Sequence, residues 1–172
     1  MQSNTSIKVL DNASKDLEFL DFSDALAPHF ERINRIWIED MFHLEDIDKQ
    51  VLRYPRKHII EKGGYVFFVK HKTLGVIGTC ALLNSGNSNY ELTKMGVQAD
   101  LRGLKVGEKL LEYVIQRALS IPAQTLYLLT NKKCEAAIHL YEKYSFAHDD
   151  DIMQSYGKNY ERCNVAMRYI AP

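Results

Sequence analysis

A glycine-containing turn that leads into a helix is the part of this chain best suited to bind an anion. A strand pattern at residues 90–97 runs into Arg102-Gly103, and Gly107 follows at the start of an apolar-faced helix. The first N–H groups of a helix lack partners inside it, and the helix dipole adds partial positive charge there. Glycine lets an anion approach the backbone because it has no Cβ. The sequence therefore predicts a phosphate site at residues 102–107.

Another glycine, Gly96, lies inside the strand that precedes this turn. Such a glycine gives up side-chain packing and often marks a bulge or the close approach of a ligand. A bulge would move the strand away from its neighbour and leave backbone groups available to an extended ligand. The alternative is a glycine that is merely tolerated near a strand end. We favour the ligand, because the phosphate turn follows directly.

Hydrophobic periodicity predicts the elements that position this turn, beginning with a short edge strand at residues 7–10. From Pro28 onward, apolar residues recur every three or four positions and predict one helix face, formed by Phe30, Ile33, Trp37 and Met41. Another helical region covers about 48–62, interrupted near Pro55 and ended by Gly63-Gly64.

In the remaining two thirds of the chain, the residue pattern predicts several strands and two helices. Runs of β-branched, aromatic and apolar residues predict strands at residues 65–71, 74–83, 90–97, 125–130 and 163–169. Apolar faces predict helices at 106–119 and 133–144, and residues 84–89 are predicted to be a loop. The order β-α-α-β-β-β-α-β-α-β-β indicates one α/β (α+β) domain over residues 1–172. Its sheet is expected to be mixed and mostly antiparallel, with six to seven strands and about four helices.

Length and charge exclude several classes of protein. The chain has 172 residues, with 22 basic and 22 acidic side chains, which suits one hydrophobic core and gives no excess positive charge for nucleic acid or a membrane surface. No apolar run reaches the ~20 residues that span a bilayer, and the first residues are polar, unlike a signal peptide. We therefore expect a cytoplasmic protein without a nucleic-acid or membrane partner.

The cysteines and histidines do not form a metal-binding pattern. Cys80, Cys134 and Cys163 are widely spaced, and the six histidines are scattered. Each cysteine is better explained as a small buried apolar residue than as a nucleophile or ligand. The sequence predicts no metal site.

Three motifs in this order and spacing resemble the GNAT superfamily of acyl-CoA-dependent N-acyltransferases. The family pattern Gln/Arg-x-x-Gly-x-Gly/Ala aligns with Arg102-Gly103-Leu104-Lys105-Val106-Gly107. The resemblance begins at Glu91-Leu-Thr-Lys-Met-Gly-Val97 and continues to Asn131. It ends with Ala136-Ala-Ile-His-Leu-Tyr-Glu-Lys-Tyr-Ser-Phe146, which is similar to Ala-x-x-Leu-Tyr-x-Lys-x-Gly-Phe. It covers the middle and end of the chain, whereas the first sixty residues add little.

The resemblance implies an enzyme of the GNAT fold that uses acetyl-CoA as co-substrate and an amine as acceptor. The pantetheine arm would pair like a strand with Met95 and Val97, and the pyrophosphate would rest on backbone amides of residues 102–107. The Asn131 amide would hydrogen-bond the pantetheine, and the Val97 N–H would polarise the thioester carbonyl. The implied cofactor-binding residues are Met95, Gly96, Val97, Arg102, Gly103, Leu104, Lys105, Val106, Gly107, Asn131 and Tyr141.

Acyl transfer from a thioester to an amine needs a neutral amine, a stabilised tetrahedral intermediate and a proton for the departing thiolate. Tyr141 matches the general acid of the family, and its phenol would protonate the sulfur. The alternative is that Tyr141 only packs, in one apolar stripe with Ala137 and Tyr144. The alignment with the family favours the catalytic role.

Glu91 is the best candidate for the general base, acting directly or through a water molecule. A partly buried carboxylate in a cleft would have a raised pKa, which suits a base at neutral pH. The alternative, a solvated strand charge paired with Lys94, is equally compatible with the sequence. Tyr90 and His139 are weaker candidates, and His139 is expected to face solvent.

Two residues depart from the family pattern. Lys105 occupies the position of the middle glycine, and its ammonium would point outward or contact a phosphate. Ser145 replaces the glycine before Phe146, at a helix end where a left-handed residue is favoured, so a strained or altered cap is expected. Neither change removes a group that the chemistry needs.

The sequence says little about the acceptor. Trp37, Phe42, Tyr156 and Tyr160 are possible lining residues, and the acidic run 149–151 is expected to be a solvated loop rather than a site for a cationic amine. A non-catalytic acyl-CoA-binding or sensing domain is the first alternative function. A nucleotide-binding module of another class is disfavoured, because Gly-x-x-x-x-Gly-Lys-Ser/Thr is absent from the sequence. The oligomeric state is open, and the resemblance favours a homodimer.

Overall fold

The computed structural model describes residues 15–101 and 105–172. In this part of the chain, seven strands form one sheet in the order β1-β2-β3-β4-β5-β7-β6. They are β1 (Leu17–Asp21), β2 (Tyr65–His71), β3 (Gly75–Gly86), β4 (Asn89–Val97), β5 (Thr125–Thr130), β6 (Phe146–His148) and β7 (Val165–Tyr169). Only the β4–β5 pair is parallel among these neighbours, which confirms the predicted mixed, mostly antiparallel sheet.

One edge of the described sheet is β1, at residues beyond the predicted edge strand. The predicted edge strand at residues 7–10 lies outside the described residues, and β1 pairs antiparallel with β2 at this edge. The predicted loop at residues 84–89 is wrong. Strand β3 continues to Gly86, and Asn87 and Ser88 form a two-residue hairpin turn with φ values of 53° and 60°. Positive φ at both central residues is typical of a type I′ turn.

Five α-helices lie in the described residues: α1 (Ala27–Met41), α2 (Asp46–Arg53), α3 (Val106–Ser120), α4 (Glu135–Lys143) and α5 (Asp150–Tyr156). The predicted interruption near Pro55 is confirmed, because α2 ends at Arg53 and a π-helical turn follows at Arg56–Ile60. A residue before proline is disfavoured in the helical conformation, and Tyr54 accordingly ends the helix. No helix of the described residues is long and apolar enough to cross a membrane.

The expectation of a solvated acidic loop at residues 149–151 is wrong. Asp149 is the N-cap of α5, and its Oδ1 accepts a hydrogen bond from the Ile152 N–H at 2.9 Å. Asp150 and Asp151 occupy the first turn, where negative charge interacts favourably with the helix dipole. The run therefore starts a helix that the apolar pattern did not reveal.

The sheet is buried on both faces because its central strands carry apolar residues at odd and at even positions, which point to opposite faces. Along β2, Val66 and Phe68 belong to the core under α1 and α2, whereas Phe67 and Val69 belong to the core under α3. The main core joins apolar residues of α3, α4 and the sheet. This three-layer arrangement places the N-termini of α3 and α4 at the same end of the sheet as the C-terminal ends of β4 and β5.

Strands β4 and β5 diverge where the glycine pattern predicts a bulge. They pair from Asn89 to Leu92 on β4 and from Thr125 to Leu128 on β5. On the other side of β4, the register with β3 shifts between Thr93 and Gly96, and Lys94 adopts a φ of 52°. The bulge is confirmed, and a cavity opens beyond it between the two strands.

Candidate active site

A cavity of about 550 Å³ occupies the gap between the diverging strands. The ends of β4 and β5 form its floor, the starts of α3 and α4 form one wall, and the end of α1 with the segment before β7 forms the other. Of the predicted site residues, it brings together Met95, Gly96, Val97, Lys105, Gly107, Asn131 and Tyr141. Predicted residues Arg102, Gly103 and Leu104 lie outside the described residues. Val106 is fully buried in the main core, where it anchors α3.

The start of α3 lies at one end of the cavity, where the sequence predicts a phosphate site. Lys105 is the N-cap, and its φ of 65° explains why a glycine is favoured at this position. A Cβ on Gly107 would meet only ordinary contacts, 3.6 Å from Val97 Cγ2 and 3.7 Å from Met95 Cε. Protein packing therefore leaves room for a side chain at Gly107, and the same room is open to a ligand in the cavity.

One acidic residue, Glu108, also lines this end of the cavity. Its carboxylate accepts hydrogen bonds from Lys143 Nζ at 2.5 Å and from the Tyr144 hydroxyl at 2.7 Å. The bonds from Lys143 and Tyr144 lower the pKa of Glu108, so the carboxylate stays ionised and paired. This pairing limits its repulsion of an anion at the start of α3.

Tyr141 lines the cavity from α4, and its side chain packs edge-to-face against Phe146 with ring centroids 5.9 Å apart. The residue is only 9% exposed. Burial raises the pKa of Tyr141, with smaller effects from Cys80 and Cys134. The phenol therefore keeps its proton at neutral pH and can donate it to a group in the cavity.

Asn131 lies at the end of β5 and lines the cavity, but its side chain is already hydrogen-bonded. Its Nδ2 donates to the Arg162 carbonyl at 2.7 Å, and its Oδ1 accepts from the Lys133 N–H at 2.9 Å. These bonds hold the turn between β5 and α4 against the segment before β7. A bond from this amide to a ligand would compete with them.

The structure gives Gly96 a different explanation from the one predicted. A Cβ at Gly96 would lie 2.9 Å from Trp37 Cδ1 and 3.0 Å from Ile33 Cγ2, closer than packing allows. The glycine therefore accommodates α1, which crosses β4 here. The Trp37 indole N–H donates to the buried Asn34 side chain at 2.9 Å, which fixes the ring beside the cavity.

Glu91 lies behind the cavity wall, 1% exposed, and does not line the cavity itself. The Tyr160 hydroxyl, which belongs to a lining residue, donates to Glu91 Oε2 at 3.2 Å. Burial raises the pKa of Glu91, opposed by the positive charge of Lys94 and by hydrogen bonds. The alternative of a solvated charge paired with Lys94 is therefore wrong. The Lys94 ammonium instead lies 2.9 Å from Asp48 Oδ1.

A cluster of four charged residues closes this side of the cavity, with Lys94 and Asp48 buried and Arg162 and Glu45 partly buried. The Arg162 guanidinium donates to both Asp48 oxygens, at 2.6 and 2.9 Å, and to Glu45 at 3.0 Å. Burial alone would raise the pKa of Asp48, but the bonds from Arg162 and the charge of Lys94 lower it to about 2. This cluster was not predicted from the sequence, because residues 45–48 and 162 are brought together only by the fold. The one local signal is the capping box of α2, formed by Glu45 and Asp48.

Three of the four predicted acceptor-side aromatic residues line the cavity, namely Trp37, Phe42 and Tyr160. Tyr156 does not; it stacks on Tyr127 with ring centroids 4.3 Å apart. The weaker base candidates also lie elsewhere. Tyr90 is buried in the main core, and the His139 side chain is 81% exposed, as predicted.

The cysteine prediction is correct for one residue. Cys80 is fully buried, whereas Cys134 and Cys163 are half-buried and line the cavity. Across residues 15–101 and 105–172, no group of three or more His, Cys, Asp or Glu side chains could hold a metal ion.

The sheet that divides between β4 and β5, with helices on both faces, is the fold of a known acetyltransferase family. The model of the acetyltransferase (GNAT) family matches residues 30–146. Since this match covers more than half of the chain, the protein belongs to the GNAT family.

Solved structures share the fold. A GNAT-family acetyltransferase from Staphylococcus aureus superimposes with a TM-score of 0.78 at 20% identity, over 89% of this chain and 98% of that one. The ribosomal-protein-alanine N-acetyltransferase of Brucella melitensis gives 0.69 at 17% identity, over 90% and 99%. PaiA N-acetyltransferase from Thermoplasma acidophilum, in complex with coenzyme A, gives 0.67 at 13% identity, over 90% and 99%. At these identities the likeness shows the fold alone. No curated protein matches the sequence.

Proposed function

We propose that the protein is an N-acetyltransferase that moves the acetyl group of acetyl-CoA to a primary amine by direct attack in a ternary complex. The observation that carries the proposal is a single cavity that joins the N-terminus of α3 to the phenol of Tyr141 through the β4–β5 gap. Such a cavity can take a phosphate-bearing thioester at one end and an amine at the other. The coenzyme A in the PaiA structure supports the choice of donor.

In this proposal, acetyl-CoA lies along the whole length of the cavity. Its pyrophosphate would rest on backbone amides of residues 102–107, with the open side of Gly107 leaving space for the approach. The pantetheine arm would run beside Met95 and Val97, in the gap that the bulge of β4 creates. It would reach Asn131 at the end of β5. This path brings the thioester to Tyr141.

Each residue then has one part in the reaction. Glu91 takes a proton from the acceptor ammonium, and the neutral amine attacks the thioester carbonyl carbon, forming the C–N bond. The Val97 N–H stabilises the negative charge on the carbonyl oxygen. When the C–S bond breaks, Tyr141 gives its phenol proton to the sulfur and recovers a proton from the nitrogen. The products are an acetamide and free CoA, and the proton on Glu91 returns to water.

A thiol-release assay across a panel of primary amines tests the reaction. We expect at least one amine to raise CoA release above background hydrolysis. Calorimetry with acetyl-CoA, ATP and NAD tests the donor. Acetyl-CoA binding without amine-dependent release would indicate an acyl-CoA-binding or sensing domain. Tight ATP binding without CoA binding would replace the proposal with a nucleotide-binding module.

A further inference from the structure

The proposed reaction needs a path for a proton from the cavity to Glu91, which lies behind the wall. We propose that Tyr160 is this path, and that its hydroxyl relays the proton from the acceptor amine to the Glu91 carboxylate. The inference rests on the proposed function and concerns the residue that touches the acceptor. Tyr160 lines the cavity, and its hydroxyl donates to Glu91 Oε2 at 3.2 Å.

The surroundings of Glu91 favour the uptake of a proton from Tyr160. One of its oxygens, Oε2, accepts the Tyr160 hydrogen bond, whereas buried Oε1 has no hydrogen-bond partner among the described residues. A buried carboxylate with an unpaired oxygen is costly, and taking up a proton relieves that cost. The carboxyl group is therefore a proton acceptor that the amine itself does not reach.

The other groups around Glu91 are committed to different partners. The titratable and charged groups that face it are Lys94 on β4, Tyr127 on β5, and Tyr160, Arg162 and Cys163 before β7. Lys94 and Arg162 are paired with Asp48. The Tyr127 hydroxyl bonds to Ser85 Oγ at 2.5 Å, and Cys163 Sγ bonds to the Val165 carbonyl at 3.6 Å. Of these titratable groups, Tyr160 combines a bond to Glu91 with a place in the cavity wall, and the Thr93 hydroxyl of the same wall lies close to both side chains.

The charged cluster fixes the ring of Tyr160 in position for the transfer. The Lys94 ammonium lies 4.7 Å from the ring centroid, and the Arg162 guanidinium carbon lies 5.3 Å from it. Because both cations are anchored on Asp48, the ring is held against them and its hydroxyl stays directed at Glu91. Burial also raises the pKa of Tyr160 well above its ordinary value, so the phenol carries a proton to pass on.

The step balances without any other reactant. The acceptor ammonium gives an N–H proton to the Tyr160 oxygen as the phenolic proton moves to Glu91 Oε2. The amine becomes neutral, Glu91 becomes a neutral carboxylic acid, and Tyr160 ends as a neutral phenol. The amine lone pair is then free to attack the thioester.

Tyr160→Phe tests the relay, with Tyr156→Phe as a matched control outside the cavity. For Tyr160→Phe we expect kcat at pH 7 to fall by about a hundredfold, the scale of general base catalysis. The Kd for acetyl-CoA should stay within about twofold, and thermal unfolding should report a folded protein. Because the carboxylate loses its donor, the acidic limb of the kcat profile should move to higher pH. Tyr156→Phe should leave both kcat and the profile unchanged.

Infrared titration of the protonated carboxyl band gives a readout that needs no turnover. The Glu91 band is assigned by its loss in Glu91→Gln, and we expect Tyr160→Phe to raise the pH at which it disappears. An active wild-type enzyme with an unchanged kcat and profile in Tyr160→Phe would overturn the relay and leave the acetyltransferase proposal intact. Wild-type protein without activity towards any amine would instead overturn the proposed function.

Discussion

The ammonium of Lys94 and the carboxylate of Asp48 lie 2.9 Å apart, with their side chains 3% and 0% exposed. This pair ties the bulge of β4 to α2, and Arg162 adds the segment before β7 to the same carboxylate. The geometry of this side of the cavity therefore depends on one buried acid. Removing it would leave Lys94 without its counterion and Arg162 with Glu45 alone.

Acid should weaken the fold through Asp48. Its pKa is lowered to about 2, mainly by Arg162 and Lys94 against the opposing effect of burial. Its stabilising effect is therefore complete above the ordinary Asp pKa of about 4 and is lost as pH falls towards 2. Urea unfolding at steps between pH 5 and pH 2 measures this loss. In Asp48→Asn the free energy of unfolding at pH 7 should be about 3–5 kcal/mol lower. It should also depend less on pH than in the wild type. If the free energy of unfolding fell equally steeply with pH in the wild type and in Asp48→Asn, this assignment would be wrong.

Two glycines beside the cavity should respond to alanine in opposite ways. At Gly107 a methyl group meets only ordinary contacts, and alanine favours a helix by about 0.5–1 kcal/mol. We expect Gly107→Ala to unfold at a higher temperature but to bind acetyl-CoA about tenfold more weakly, since the methyl fills space needed by the ligand. Gly96→Ala should lose about 1–3 kcal/mol of stability, because its methyl overlaps Trp37. Calorimetry and thermal melts of both variants check this contrast, which unchanged affinity in Gly107→Ala would contradict.

The sequence predicted most of the fold because its elements have strong local signals. The helix around Phe30 and the strand around Leu128 follow from periodicity and apolar runs, and both lie where predicted. Helix α5 was missed because its start depends on Asp149 as a cap, and an acidic run is equally typical of a loop. Strand β3 was predicted too short because its polar end pairs with β4 across a tight turn.

The site was predictable only where it is continuous in sequence. The start of α3 and Tyr141 lie within short motifs, so their place in one cavity could be anticipated. The bond from Tyr160 to Glu91 joins residues 69 positions apart, and the reason for Gly96 is a helix more than fifty residues earlier. Such contacts are set by packing across the sheet, which no local pattern records. Glu91 was therefore recognised as a candidate base without the group that connects it to the cavity.

Ser145 should be a position where glycine stabilises the protein. Its φ of 71° lies in the left-handed region, as the comparison with the family glycine predicts, and it follows the end of α4. An L-residue in the left-handed region costs roughly 1–2 kcal/mol, and glycine avoids this cost. Part of the gain is lost, because glycine also raises the conformational entropy of the unfolded chain. We expect Ser145→Gly to gain about 0.5–1 kcal/mol in urea unfolding. Ser145→Ala is the control and should show no gain.

Replacing Tyr141 should separate binding from catalysis. Tyr141→Phe keeps the ring packed against Phe146 but removes the proton that the departing thiolate would receive. We expect kcat to fall by about 10²–10⁴-fold while the Kd for acetyl-CoA stays within about twofold. Tyr113→Phe, which removes a hydroxyl bonded to Arg117 away from the cavity, is the control and should keep full activity. Unimpaired turnover in Tyr141→Phe would remove this residue from the mechanism.

Glu91→Gln should make the protein more stable and less active. Burial raises the pKa of Glu91, so the folded state binds a proton more tightly than the unfolded chain does. For an acid with a raised pKa, stability is highest below the unfolded value of about 4 and falls as pH rises through the folded pKa. The neutral amide avoids this loss and keeps an oxygen that accepts the bond from Tyr160. We expect a gain of about 1–3 kcal/mol in the free energy of unfolding at pH 8, vanishing near pH 4, together with loss of turnover. Urea unfolding at the two pH values measures the gain. If the variant were less stable than the wild type at pH 8, the ionised carboxylate would stabilise the fold, contrary to this prediction.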